Sequence, residues 1–546
     1  MTLIPKGVQK RGIAPTDLTT LTDPFHASMV KALKMIGTDG EAPGYAERRW
    51  RGRDDHDLDW GAGAVRLGSA LCHGTGIESG SRPVLTRERR DPMPPTFAKA
   101  AATIVAAFLL AGCATSARQL MPTPVLYQLP GGQPVFDRAA ESQQRPSPDL
   151  DLLFITDRAP PTAAEQEAQG QDQDPLPYGQ ERARRIAFGS AQVRVVPGLD
   201  WEALREQSQL AKRTREVNLE LGQVRELGAF PQEPYRLHRT EDGKLLRDRA
   251  ELERHAEAKG RLQGEVQRRL AAAPSKEVLL YVHGFNETFA SAAFTAAELC
   301  HFLGREHVCA FFTWPASSTG NFLTSYTTTT ESADYAVEHL KKSLRMLGMT
   351  PGVEGVQILA HSRGTALTLK AVRELGLEAI AAGKEAVDIY KFNNLVLLSP
   401  DIDVDIAAQQ LTGFLSDPDL ITLWPEGKVP RVLKGRLTVY TSPEDRALLV
   451  SKILFRSRKR AGQLRPEDIP EKGQRYMEAL GRMDLISYLG KRTDFFGHSY
   501  FTTNPQVSSD LVQLIRYGRR LGEPGRQLIK TGPITWKFPL DQATGR

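Results

Sequence analysis

The sequence predicts an α/β fold: a mostly parallel sheet flanked by helices, with an N-terminal strand and helix extension. Three observations carry this. Short apolar runs of strand length recur through the second half of the chain, at Val278–Val282, Val356–Leu359, Asn394–Ser399 and Leu437–Thr441. Stretches of helical composition separate them, among them Ala290–Leu303, Ser332–Leu347 and Thr365–Leu375. The strand runs are continuously apolar rather than alternating, which is how strands covered on both faces read.

At 546 residues the chain exceeds one typical domain. Hydrophobic residues make up 40% and charged residues 25%, the balance of a soluble enzyme. The net charge of +6 is a small excess of 71 basic over 65 acidic residues, scattered along the chain. With no aromatic-interleaved basic stripe, this argues against nucleic acid as a partner. One basic run, Arg456-Ser457-Arg458-Lys459-Arg460, reads either as a solvated face or as a contact for anionic lipid head groups.

Residues 1–92 are rich in Arg, Gly, Asp and Pro and lack a sustained apolar period after Ala32–Ile36. They read as a disordered extension, or as sequence upstream of a misplaced start. Residues 93–113 then read MPPTFAKAAATIVAAFLLAGC, with one lysine and an apolar run from Ala100 to Ala111. That run is short for a bilayer span and suits the core of a secretion signal. Its end, Leu110-Ala111-Gly112-Cys113, resembles the lipobox of bacterial lipoproteins. That likeness implies a diacylated Cys113 as the mature N-terminus, a lipid anchor in the cell envelope, and an outer-membrane position facing the periplasm. If the signal is not used, the expectation is a cytoplasmic protein.

Residues 114–148 carry Pro, Gln, Ser and Gly in the pattern of a tether. Residues 149–274 open the folded part, with strands at Leu150–Asp157 and Arg185–Val196. Trp201–Leu270 reads as mostly helical and charged, with a break at Gly228–Pro234, and serves either as a lid or as a solvent-facing flank. Residues 275–523 form the core, including a strand at His307–Trp314, a last strand at Met483–Tyr488 and a closing helix at Ser508–Leu521. Residues 524–546 are a tail without signal. Cys300 and Cys309 could pair in an oxidising compartment, but their apolar surroundings favour buried free thiols.

The chemistry gathers around GVQILAHSRGTAL, residues 355–367. An apolar strand, a small-x-Ser-x-small turn (Ala360 to Gly364) and a helix follow one another. Such a turn lifts Ser362 above the sheet at a helix N-terminus, where amides and dipole favour developing negative charge. A second strand ends in His283-Gly284-Phe285-Asn286, a turn of the kind that supplies an oxyanion-hole amide. The backbone amides of Phe285 and Arg363 are the candidate donors. His498 is the only histidine C-terminal to Ser362, and so the candidate base in a Ser, acid, His chain order. His361 and His283 are nearer in sequence, but the first points away from its neighbour and the second belongs to the oxyanion turn. For the acid, Asp445 follows one strand and Asp401 and Asp403 follow the one before it. Asp445 leads and the other two stay open. The alternating Asp401, Asp403 and Asp405 do not make an EF-hand, since Ile406 and Thr412 stand where glycine and glutamate are needed. No metal or cofactor is expected.

Taken together, Val278–Pro315, Ile358–Thr365, Ser399–Asp403 and Gly497–Phe501 resemble a bacterial α/β-hydrolase family of unknown function. Its members tend to read VHGFN, F-x-WP, AHS-x-G, PDID and GHS. The resemblance runs from near Leu152 to about Asp510 and implies an α/β-hydrolase fold. Arg363 stands where the family more often has Met, which changes the pocket's polarity and leaves the serine intact. The expected function is a serine hydrolase acting on a small-molecule or lipid acyl ester. The alternative is an inactive hydrolase-like lipoprotein that binds a partner at the envelope. Neither the acyl chain nor the oligomeric state follows from the sequence.

Overall fold

The apolar runs pair side by side in a 12-stranded sheet, accompanied by a separate two-stranded hairpin. The computed structural model describes residues 117–137, 147–169, 174–316, 322–416, 429–455, 457, 459–526 and 528–539. All of them fall within one compact unit, Asp91–Arg546. The expectations for residues 1–92 and for the signal segment with Cys113 lie outside the described residues.

The strands are β1 Ala117–Gln119, β2 Leu150–Arg158, β3 Arg182–Val196, β4 Asn218–Ala229, β5 Leu237–Arg239, β6 Leu245–Arg247 and β7 Glu277–Val282. They continue with β8 Val308–Thr313, β9 Gly355–His361, β10 Phe392–Leu398, β11 Leu437–Thr441, β12 Met483–Ser487, β13 Ile529–Lys530 and β14 Thr535–Lys537. The order across the sheet is β1-β4-β3-β2-β8-β7-β9-β10-β11-β12-β14-β13. From β2 through β14 every neighbouring pair is parallel, whereas β1, β4 and β3 at one edge and β13 at the other run antiparallel.

Among the helices are α1 Arg249–Ala272, α2 Phe289–Phe302, α3 Phe322–Gly348, α4 Gly364–Ala381, α5 Val404–Ser416, α6 Arg446–Leu454 and α7 Pro505–Ile515. The two-residue period of the strands divides their side chains between two cores. Val278, Leu280 and Val282 of β7 join Leu262 and Val266 of α1, Leu340 of α3 and Ala371 of α4 on one face. Leu279 and Tyr281 join Ala293 and Ala297 of α2 and Leu511 of α7 on the other. Burying one leucine contributes roughly 1.5–3 kcal/mol, so two full cores hold the sheet rigid beneath its loops.

Several expectations are corrected. Trp201–Leu270 is not mostly helical, because β4 supplies 12 residues of strand within it. Its alternating polar sequence is that of a strand exposed on one face. The longer of the two helices in that stretch, α1, is no lid: Ala258, Leu262, Val266 and Leu270 are buried in the main core. The tether is shorter than its composition implied. β1 pairs with β4, Tyr127 is buried, and the Arg118 guanidinium meets Glu298 of α2 at 2.8 Å. The tail re-enters the sheet through β14, parallel to β12. Finally, Cys300 of α2 and Cys309 of β8 are joined as a disulfide, with Cα atoms 6.0 Å apart. Their apolar surroundings bury the bridge instead of two thiols. Among the described residues no helix is long and apolar enough to cross a membrane.

Candidate active site

The C-terminal ends of β7, β9, β10, β11 and β12 follow one another across the sheet, and the loops leaving them carry the site. Three non-glycine residues at these ends adopt positive φ: Asn286 after β7 (57°), Ser362 after β9 (52°) and Ser399 after β10 (47°). Left-handed backbone at such residues costs free energy and persists only where the surroundings fix it, as at functional sites. Here hydrogen bonds fix it. The Ser362 amide donates to the Leu398 carbonyl at 2.9 Å, and the Asp401 amide donates to the Ser362 carbonyl at 3.1 Å.

The small residues flanking the serine are explained by close approach. A Cβ on Gly364 would lie 2.2 Å from the His283 carbonyl oxygen, so glycine lets α4 start against the end of β7. A Cβ on Gly284 would lie 2.6 Å from the Ser362 Cβ and 3.2 Å from its Oγ. The turn after β7 therefore passes directly beside the serine, with Phe285 next in the chain.

His498 sits in a loop shaped by one carboxylate. Asp494 Oδ1 accepts from the amides of Phe496, Gly497 and His498, and its Oδ2 accepts from that of Ser499. Gly497 completes the turn at φ 69°. The loop is tied to the serine's strand end. Ser399 Oγ donates to the His498 carbonyl at 2.9 Å, and the His361 and His498 rings lie 4.7 Å apart.

The candidate acids separate cleanly. Asp445 Oδ2 lies 2.6 Å from His498 Nδ1, and its Oδ1 accepts from the Leu448 amide. Burial pushes the Asp445 carboxyl up, opposed by His498. Burial disfavours imidazolium at His498, but the Asp445 carboxylate, with help from Asp401 and Asp494, outweighs it and raises the pKa above the ordinary 6.5. Asp401 is held elsewhere. Its carboxylate meets Arg460 Nε at 2.9 Å, accepts from Ser451 Oγ at 2.6 Å and from the Tyr326 hydroxyl, and lies 3.5 Å from Arg363 Nη2. Asp403 caps α5, accepting from the Asp405 amide at 2.9 Å.

The two rival histidines are occupied structurally. His283 Nε2 accepts from the Trp314 amide at 3.1 Å, and its ring stacks on that indole. Burial holds both His283 and His361 well below the usual imidazole range. The Arg363 side chain stays buried, its Nη2 donating to the Tyr326 hydroxyl at 2.7 Å. Phe285 packs its ring 4.9 Å from that of Tyr326. Among the described residues no cluster of His, Cys, Asp and Glu could hold a metal ion.

Sequence reasoning missed Asp494, Ser399, Tyr326 and Arg460. Asp494 was recoverable, since an aspartate a few residues ahead of glycine signals an Asx turn. Ser399 and Tyr326 depend on contacts across 37 to 125 positions of chain, and Arg460 on its ion pair with the distant Asp401, none of which leaves a local signature.

Residues 258–517 match the family described as alpha/beta hydrolase of unknown function (DUF900). This stretch is an α/β-hydrolase domain of that family. The strands from β1 to β6 precede the match and extend the same sheet, or stand beside it as a hairpin. No curated protein matches the chain. Among solved structures, an esterase of Pyrococcus furiosus aligns at 16% identity and TM-score 0.22, over 39% of this chain and 71% of its own. An esterase of Pyrobaculum calidifontis aligns at 11% identity and TM-score 0.24, over 45% of this chain and 78% of its own. The fold assignment for the hydrolase domain rests on the family match and the strand order.

Proposed function

We propose that the α/β-hydrolase domain is a serine hydrolase for an ester or related acyl compound, with Ser362 as nucleophile, His498 as base and Asp445 as orienting acid. The observation that carries this is the 2.6 Å contact between His498 Nδ1 and a buried Asp445, in a loop bonded to the strand ends at His361, next to Ser362, and Ser399. A carboxylate at Nδ1 fixes the proton there and leaves Nε2 as the base. Nε2 takes the Ser362 proton as Oγ attacks the acyl carbon, and returns it to the departing alcohol. Water then repeats the cycle on the acyl-enzyme, releasing the acid and restoring the serine. The amides of Phe285 and Arg363 would receive the oxyanion, because Gly284 brings the first turn against Ser362 and α4 begins just beyond the second.

The same reading extends to location. Acylated at Cys113, the mature protein would stand at a bacterial membrane, and the disulfide between Cys300 and Cys309 fits an oxidising compartment. Because β1 opens at Ala117, the anchor would lie only four residues from the sheet and hold the body close to the bilayer.

Labelling with a fluorophosphonate probe tests the chemistry. The wild-type protein takes up the probe and Ser362→Ala does not; a wild-type protein that stays unlabelled would leave a binding protein in its place. Mass spectrometry of membrane-extracted protein tests the anchor, which is refuted by a chain retaining residues 1–92 with an unmodified Cys113 thiol.

A further inference from the structure

Two buried guanidinium groups, one of them on the residue after Ser362, face one carboxylate. Arg363 follows the serine in the chain, and Arg460 comes from the basic run after α6; they are 7% and 3% exposed. Asp401 answers both, at 3.5 Å from Arg363 Nη2 and 2.9 Å from Arg460 Nε. The neighbouring carboxylates are engaged: Asp445 with His498, and Asp334 with Lys370. Among the described residues the cluster therefore holds one more buried positive charge than negative.

Its hydrogen bonding shows the same excess. Arg363 Nη2 donates to the Tyr326 hydroxyl at 2.7 Å; Arg460 Nε donates to Ser451 at 2.8 Å and its Nη1 to Ser457 at 3.3 Å. Arg363 Nε and Arg460 Nη2 are buried and meet no acceptor among the described residues. Unpartnered Nε atoms also occur at Arg213, Arg305 and Arg373, but among the described residues Arg460 Nη2 is the one buried terminal guanidinium nitrogen so left, and its retention in the cluster that includes Arg363, next to Ser362, points to an acceptor that arrives with a ligand. Aromatic rings wall the pair. Phe455 lies 5.0 Å from the Arg363 guanidinium and 4.9 Å from that of Arg460, while Tyr326 lies 4.9 Å from Arg363. Phe455 is itself 37% exposed, so the ring covering both cations borders solvent.

We infer that Arg363 and Arg460 form an anion subsite next to Ser362, and that the substrate is an acyl ester bearing a carboxylate or phosphate group. This rests on the proposed hydrolase activity. Guanidinium is suited to either oxyanion, since its fork matches two oxygens in one plane and it stays charged when buried. Tyr326 and Phe455 hold the forks in place and exclude the water that would screen them. A neutral ester of similar size would leave both donors unanswered.

Two measurements test the subsite. The first compares kcat/KM for matched ester pairs: 4-nitrophenyl hemiglutarate against the valerate, and an acyl glycerol 3-phosphate against the acyl glycerol. We expect a preference of about 10-fold or more for the acidic member of at least one pair, since a charge-assisted hydrogen bond contributes that much. Which pair responds separates an anion on the acyl side from a phosphate on the alcohol side. The preference collapses in Arg460→Met and in Arg363→Met, and because a ratio is read, general loss of activity cancels. The second uses Ser362→Ala, whose melting temperature should rise with inorganic phosphate or glutarate, an effect absent when Arg460→Met is added. Ester turnover with no acidic preference and no anion-dependent shift overturns the subsite and leaves the hydrolase reading standing. An anion-dependent shift lost with Arg460, in a protein that hydrolyses nothing, supports the subsite and removes the hydrolase reading.

Discussion

Asp401 and Asp445 follow adjacent parallel strands, β10 and β11, and both are almost wholly buried, at 2% and 1% exposure. Their surroundings divide them. Asp445 finds an imidazole at 2.6 Å, while Asp401 finds Arg460, Arg363, Ser451 and Tyr326. Burial works against charge at Asp401, yet the two guanidinium groups hold its carboxyl below the usual range. At Asp445 burial prevails and its carboxyl is pushed up. One carboxylate is thus locked as an anion in a cationic cluster, whereas the other is paired with an imidazole. The comparison teaches that strand-end position and burial do not assign a role to an acid; the group it faces does.

The largest expected effect would come from removing the unit that Asp445 serves. Ser362→Ala and His498→Ala should each lower kcat by about 10⁴-fold or more, and the double mutant should be hardly worse, because the two act as one. Steady-state assays on an activated ester check this, with circular dichroism confirming that the fold survives. Near-normal turnover in His498→Ala would break the assignment.

The comparison itself is sharpened by isosteric amides. Asp445→Asn should lower kcat by about 10³- to 10⁴-fold with little change in melting temperature, since an amide there favours the wrong imidazole tautomer. Asp401→Asn should do the opposite. Leaving two buried guanidinium groups without a counter-ion costs about 3 kcal/mol of stability, with a smaller loss of turnover from the folded fraction. Denaturant titration alongside kinetics separates the two, and the reverse ranking would move the acid to Asp401.

A smaller effect concerns pH. Asp445 raises the pKa of His498 above 6.5, so the neutral base is populated only on the alkaline side of that raised value. The acid limb of kcat/KM should therefore lie above pH 6.5. In Asp445→Asn the strongest raising charge is gone, leaving Asp401 and Asp494 against burial, so the residual activity should titrate at lower pH. The sign for stability is opposite: the His498 contribution is full below the unfolded pKa and lost as pH rises through the folded one. An acid limb that does not move in Asp445→Asn would mean that another group titrates.

The smallest effect tests a region away from both carboxylates. Reducing the disulfide between Cys300 and Cys309 opens a loop of nine residues' separation and should cost about 2–3 kcal/mol. Thermal melts with and without reductant read this directly, and activity per folded molecule should be unchanged.

Legibility followed local chemistry. The strands from β7 to β12 were readable because burial on both faces leaves unbroken apolar runs such as VLLYV and NLVLL. β4 was not, since its strand NLELGQVRELGA is exposed along one side and carries charges that mimic a helix. β1 and β14 are three residues each, too short for any period to register. In the candidate site, the small residues around Ser362 signalled the tight strand-to-helix turn that the structure shows, and His498 stood out as the only downstream histidine. Asp494 left a faint turn signal. The cysteines were misread because apolar neighbours suit a free thiol and a disulfide equally well.

By itself, then, the sequence determined the tight turn around Ser362 and which strands would be buried, because both depend on patterns within about ten positions of chain. It could not choose among Asp445, Asp401 and Asp403, nor turn Arg460 inward from a basic run. Those outcomes depend on which loops meet once the sheet has ordered its strands. Asp445 reaches His498 across 53 positions of sequence, and Arg460 meets Asp401 at 2.9 Å beneath Phe455. Chain connectivity carries no record of such neighbours. They come from parallel strands brought side by side, where a displacement of a few ångströms decides whether a buried carboxylate meets an imidazole or a guanidinium.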